Sequence, residues 1–372
     1  MAEAMHDSFP SSPIYTTVAL QRTLSKRLRA ADIRTSPLQK LPAMDRRFRH
    51  YFMLYPLAVE HFDLSQYDLI FSSSSGYAKG VRRSRNAIHV CYCHTPMRWV
   101  WRYEDYVARE RFGSLIRVAL PFLLSGLRRW DLRASQQPNY YIANSRLIAR
   151  RIKQVYGREA SVIPPPIDVN RFQMSNEIAD YYLVLSRLMP YKRIDLAIEA
   201  CKRTNRRLVV IGDGPDRPRL EALADDRIEF LGRQSDEIVN YYASRCRALL
   251  FPGEEDFGMA PLEANAAGRP VIAYRGGGAV ETIEEGTTGI FFDQPNGRAL
   301  AEAIEKFEGL RWDQNTLRRH AEKFDRTVFA FRVLQFLGSV APVSCAEELL
   351  TGARLLSERV SQRVWPRLAL VG

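Results

Sequence analysis

A chain of 372 residues, 46% hydrophobic and 26% charged, is too long for one compact core and too apolar for a disordered or fibrous protein, so two globular domains are expected. Its 54 lysines and arginines against 42 acids leave a net charge of +12, and that excess is unevenly placed: residues 1–172 hold 27 basic and 13 acidic side chains, the remainder 27 and 29. A basic half joined to a neutral half faces an anion, whether an acidic membrane surface or a phosphorylated ligand; no nucleic-acid-binding motif accompanies the charge.

In chain order, MAEAMHDSF reads as a helix, without the basic and apolar stretches of a signal peptide. Strands are expected at PIYTTV from Pro13, YDLIFSS from Tyr67, AIHVCYC from Ala87, YYIANS from Tyr140 and SVIP from Ser161. Between the third and fourth, Arg109–Ser135 reads as a helical hairpin interrupted at Pro121. Its apolar run, Val118–Leu127, falls well short of the roughly 20 residues of a membrane span. The stretch Arg111–Trp130 mixes arginine, leucine and tryptophan as interfacial segments do, and equally as a packed helix does. Five scattered cysteines, an odd number with no CxxC pair, fit a reducing cytosolic compartment; Cys91 and Cys93 would share one strand face.

The three prolines of IPPPIDVNRF, Ile163–Phe172, mark a linker. Beyond it, near-continuous apolar strands at YYLVLS (Tyr181), RLVVIG (Arg207), RIEFLG (Arg227), RALLFP (Arg247), RPVIAY (Arg269) and TGIFF (Thr288) alternate with helical segments such as IDLAIEACKR and GRALAEAIEKFE. That alternation predicts an α/β fold of two Rossmann-like, doubly wound domains, 1–165 and 166–338, facing a cleft at the carboxyl ends of their sheets. A tail, 339–372, follows, and its leucines between Leu349 and Leu356 suit an amphipathic helix.

The chemistry concentrates in FPGEEDFGMAPLEANAAGRPVIAYRGGG, from Phe251. A helix beginning near Met259 leaves Glu255 in the preceding loop and Glu263 near the first turn, so both carboxylates can face one cleft. Between them Phe257, Gly258 and Met259 offer amide N–H groups at a helix N-terminus, a favourable place for a phosphate. Carboxylates repel phosphate, so Glu255 and Glu263 are expected to bind hydroxyls of a sugar or ribose. The cations come from SRLMPYKRIDLAIEA: Arg187 after one strand and Lys192 before the next helix can hold a diphosphate and neutralise it as it leaves. Gly276–Gly278 is either a turn or a close backbone approach to the ligand, and GDGP at Gly212–Pro215 reads as a turn.

With Glu-x7-Glu written EDFGMAPLE, preceded by Arg187 and Lys192, the chain resembles glycosyltransferase family 4, retaining enzymes of GT-B fold; CYCHTPMRW in the first half resembles a branch containing mannosyltransferases of surface-polysaccharide synthesis. The resemblance implies that Glu263 binds the ribose of a nucleotide-diphosphate sugar, GDP-mannose being favoured, and that Glu255 lies near the transferred sugar. It implies that Arg187 and Lys192 grip the diphosphate, that the Phe257, Gly258 and Met259 amides complete the cradle, and that His94 contacts the donor sugar from the first domain. No metal or cofactor is implied. The acceptor is a glycan or a lipid-linked glycan, which implies peripheral attachment to the inner leaflet. Against the family pattern, the first domain lacks an opening strand and its glycine-containing loop. Two rival readings are an epimerase of the same fold, for which no proton-abstracting acid is visible, and a catalytically impaired scaffold or basic binding module.

Overall fold

The computed structural model describes residues 1–101 and 114–364. Contacts divide the chain into two compact units, one of Met1–Ile163 with Phe329–Glu358 and one holding Pro164–Val328. The first division falls inside the three-proline stretch. The second falls at Val328, so residues 329–338 and the tail as far as Glu358 belong by contact to the first unit.

In the first unit, β1 (Ile14–Thr16) pairs in parallel with β2 (Ile33–Thr35) as a small separate sheet. The main sheet is parallel, with β3 (Leu69–Ser74), β4 (Ile88–Cys93), β5 (Tyr140–Ala143) and β6 (Ser161–Val162) in sequential order. Strand periodicity sorts its two faces. From β4, Val90 and Tyr92 pack with Phe329, Val333, Leu337, Leu349 and Ala353, so the helices Arg326–Val340 and Val343–Val364 cover that face. Cys91 and Cys93 point the other way, against Ile148, Ile152 and Tyr156 of the helix Arg146–Tyr156, and both are free thiols. That helix is fixed at both ends: Ser145 Oγ accepts from the Ile148 amide, and Gly157, at φ +65°, closes the last turn.

One expectation fails here. Ser114–Ala134 is one continuous helix, not a hairpin broken at Pro121. An interior proline costs a helix about 3 kcal/mol. Burial of Leu124, Leu127 and Trp130 further along the same helix offsets it, each side chain contributing about 1.5–3 kcal/mol. Residues 111–113 of the stretch read as interfacial lie outside the described residues. Among the described residues, no helix is long and apolar enough to cross a membrane.

His89, fully buried on β4, meets Ser72 Oγ through Nε2 at 2.7 Å, while Nδ1 has no partner among the described residues. Burial pushes its pKa down to about 3, with Arg83 adding to the effect. The unfolded chain therefore takes up a proton near pH 6.5 that the folded chain refuses. Stability is unaffected above that pH and falls as pH drops from 6.5 toward 3. In urea melts, the stability difference between the natural chain and His89→Leu should move by about 1.4 kcal/mol per pH unit between pH 6 and 4. A pH-independent difference would remove this account.

The second unit is a six-stranded parallel sheet of β7 (Tyr182–Leu185), β8 (Leu208–Ile211), β9 (Ile228–Gly232), β10 (Leu249–Phe251), β11 (Val271–Tyr274) and β12 (Gly289–Phe292). All six lie where the apolar runs placed them. One face, with Val184, Val210, Leu250 and Ile272, packs on the helices Ile194–Arg203 and Gly297–Glu308. The other, with Leu183, Val209, Leu249 and Val271, packs on Asp236–Arg245 and Met259–Ala266. Burial on both faces explains why these strands read as unbroken apolar runs.

Candidate functional site

The strand order of the second unit is β12-β11-β10-β7-β8-β9. Read from the other end this is the doubly wound order 3-2-1-4-5-6, in which the winding reverses between the first and fourth strands, here β7 and β10. The loops leaving the carboxyl ends of those two strands border the crevice where such sheets bind ligands. They are the loop carrying Arg187 and Lys192 and the loop carrying Glu255, Phe257 and Gly258.

Backbone contact holds these loops together. A Cβ on Gly253 would lie 2.7 Å from the Lys192 Cα and carbonyl oxygen, so only glycine fits. Arg193, at φ +51°, turns the chain sharply between Lys192 and the helix Ile194–Arg203. The outcome is an ion pair between Lys192 Nζ and Glu255 Oε1, both largely buried. On the far side, the Gly278 amide donates to the Glu255 carbonyl at 2.7 Å, and Cβ atoms at Gly277 and Gly278 would collide with the Glu255 and Phe257 backbone. Gly276–Gly278 thus braces the acidic loop. Gly212, at φ +137°, packs in the same manner on the Ser186 carbonyl, as the turn reading of GDGP requires.

Gly258, at φ +89°, ends the loop and starts the helix Met259–Ala266. Among the described residues no acceptor meets the amide N–H groups of Phe257, Gly258 or Met259. Together with the helix dipole they form an anion-binding terminus. The Phe257 ring is buried against Phe324, which anchors the loop, whereas the Met259 side chain is exposed. Glu263 is half-buried one turn further on, and its carboxylate makes no hydrogen bond among the described residues. Burial raises its carboxyl pKa; Arg171 opposes that shift, and Asp236 and Glu255 add to it. A desolvated carboxylate with unfilled acceptor sites is suited to hydroxyl donors.

Lys192, Glu255, Glu263 and the three amides are therefore gathered at one place. Arg187 lies on the same loop as Lys192 but is exposed, and no described contact brings its guanidinium into the group. His94 belongs to the first unit, at the carboxyl end of β4; its Nε2 lies 2.9 Å from Ser73 Oγ, and its carbonyl accepts from Asn144 Nδ2 at 3.0 Å. Sequence reasoning missed Arg171, which pairs with Asp236 at 2.8 Å, has a buried Nε with no partner among the described residues, and acts on Glu263 electrostatically. Its place in the linker motif IDVNRF was the available signal.

Two Rossmann-like parallel sheets in one chain define the GT-B class, and solved structures agree. Sucrose-phosphate synthase of Thermosynechococcus elongatus matches with a TM-score of 0.68 at 17% identity, covering 91% of each chain. HepE of Anabaena, in complex with UDP, matches with 0.65 at 19%, covering 91% of this chain and 94% of that one. The family model described as Glycosyltransferase Family 4 matches residues 15–171, and that described as Glycosyl transferases group 1 matches residues 169–324. The chain belongs to glycosyltransferase family 4. The GDP-mannose-dependent alpha-(1-6)-phosphatidylinositol monomannoside mannosyltransferase of Mycobacterium tuberculosis is 32% identical over 186 residues, 41% of this chain and 48% of that protein. The chain spans about half the length of the curated relatives it matches.

Proposed function

We propose that this chain is a retaining glycosyltransferase that moves a hexose from a nucleotide-diphosphate sugar to a glycan or lipid-linked acceptor in surface-polysaccharide synthesis. The observation that carries the reading is the switch-point cluster: one ammonium and two carboxylates beside a helix N-terminus, on the loops after β7 and β10 and on the helix Met259–Ala266. In this reading Glu263 accepts hydrogen bonds from the ribose hydroxyls. The Phe257, Gly258 and Met259 amides and Lys192 hold the diphosphate, with Arg187 as a second cation. Glu255, neutralised by Lys192, accepts from the sugar hydroxyls, and His94 orients the sugar from the first unit.

In the transfer, the bond from the anomeric carbon to the diphosphate oxygen breaks, and a bond to the acceptor oxygen forms on the same face. The acceptor proton passes to the leaving diphosphate. No side chain is needed as general base. Lys192 and the helix terminus act on the charge that grows on the leaving group. Among the described residues β3 ends the first sheet with no further neighbour, which supports the reading that this domain lacks the family's opening strand.

Mannose as the sugar and GDP as the carrier are favoured by the mycobacterial relative, whose name specifies GDP-mannose. Calorimetry with GDP and UDP tests donor and function together. GDP should bind more tightly than UDP, and Glu263→Ala should weaken it about tenfold, the equivalent of about 1.4 kcal/mol. Binding of neither nucleotide would favour the impaired-scaffold reading.

A further inference from the structure

A second feature lies in the first unit, apart from the nucleotide cluster. A cavity of about 380 Å³ is set against β1 and β2, walled by Ile14, Leu20, Leu24, Leu28, Ile33 and Phe48 among others, with no charged side chain in its lining. Its volume falls in the range of roughly 300–1,000 Å³ typical of small-ligand sites. The lining is not closed over: Leu24, Leu28 and Ile33 keep partial exposure, and Phe48 is 38% exposed.

The surroundings are strongly basic. From Leu20 to Arg46 the chain carries seven lysines and arginines, all exposed, against only Asp32 and Asp45. Those two acids are occupied by Arg34, and by Arg22 with Arg46. Lys26 and Lys40 form no ion pair among the described residues. One arginine bonds the cavity wall, and a second stands beside it in the chain. Arg29 Nε donates to the carbonyl of the wall residue Leu24 at 3.0 Å, and Arg22, between Leu20 and Thr23 of the lining, reaches the Asp45 carbonyl at 3.3 Å. A mainly apolar chamber, its lining interrupted by Thr16, Thr17, Thr23 and Tyr55, on a segment rich in exposed cations suits a molecule with a hydrocarbon chain and an anionic head. Its size fits one chain rather than a bilayer face.

We infer that this cavity binds the lipid end of the acceptor, a single-chain lipid phosphate, with its hydrocarbon among the leucines and its phosphate held by Arg22 and Arg29. The inference rests on the glycosyl-transfer reading and assigns that reading's acceptor to named residues. The probe is farnesyl monophosphate, titrated into the full chain. It should bind, with farnesol at least about tenfold weaker and inorganic phosphate not competing. Leu28→Trp, which fills the chamber, should weaken binding about tenfold or more, and Arg29→Glu about threefold or more, with the larger loss at low salt.

The site is refuted if both variants bind like the natural chain, or if farnesol binds as well as its phosphate. It is also refuted if phosphatidylglycerol vesicles are bound equally by the natural and Leu28→Trp chains while farnesyl monophosphate is not bound, because the basic surface then serves a bilayer. Should Leu28→Trp fail to fold, Arg29→Glu and Phe48→Ala, both at exposed positions, decide the matter. GDP titrations on the same proteins separate the two claims. In the natural chain, absence of farnesyl monophosphate binding beside intact GDP binding removes the cavity site alone; the reverse pattern removes the glycosyl-transfer reading and leaves a lipid-phosphate site.

Discussion

Lys192→Ala should lower the turnover of sugar transfer by about 10²–10³, the cost of removing one preorganised donor from a developing charge. Its ammonium has three donors. One is committed to Glu255, which leaves two for diphosphate oxygens. Without the ammonium, Glu255 stands uncompensated beside the incoming anion, so the substitution removes an attraction and exposes a repulsion. Fold stability should change little, because the side chain closes a crevice rather than a core. The double variant Lys192→Ala/Glu255→Ala should be impaired less than the product of the two single effects, since the residues act as a pair. Steady-state kinetics with donor in excess decide it. A Lys192→Ala enzyme within about threefold of the natural chain would remove Lys192 from the leaving-group site.

The largest stability effect is expected far from any ligand. Lys79 is buried in the first unit, its ammonium paired with the equally buried Asp131 and donating to the Gly76 carbonyl. The other carboxylate oxygen of Asp131 accepts from Trp101 Nε1 at 2.7 Å and Tyr156 Oη at 2.8 Å. The rings of Trp130 and Tyr156 lie 5.9 and 5.4 Å from the ammonium, so the cation also meets aromatic faces. Lys79→Met keeps the volume but strands a buried carboxylate, and should cost about 3–5 kcal/mol. In a unit of this size that lowers the melting temperature by roughly 6–20 °C. The double variant Lys79→Met/Asp131→Leu should regain part of the loss, because neither charge is then left unpaired. Thermal melts of the three chains provide the test; a single variant within about 1 kcal/mol of the natural chain contradicts the account.

Much of this molecule could be read before its structure. The strands of the second unit were legible because burial on both faces leaves continuous apolar runs, which local composition reveals. The acidic motif was legible because Glu255, Phe257, Gly258, Met259 and Glu263 are neighbours in the chain. Lys192 was legible as a cation on a strand-to-helix loop, but its ion pair with Glu255 required the adjacency of β7 and β10. The short strand β2 escaped notice because Ile33–Thr35 has a single apolar residue and no pattern.

What the sequence by itself determined was the α/β class, the alternation of elements and the residue types able to bind a nucleotide diphosphate. Tertiary structure alone decided that Pro121 lies within an unbroken helix, that residues between Phe329 and Ala353 cover the first sheet, and that Arg171 acts on Glu263. The reason is common to all three. Apolar periodicity and short-range spacing record which side chains must be buried or grouped locally. The partner each face finds, and the cation each acid feels, depend on strand order, which arises only when distant segments pack together.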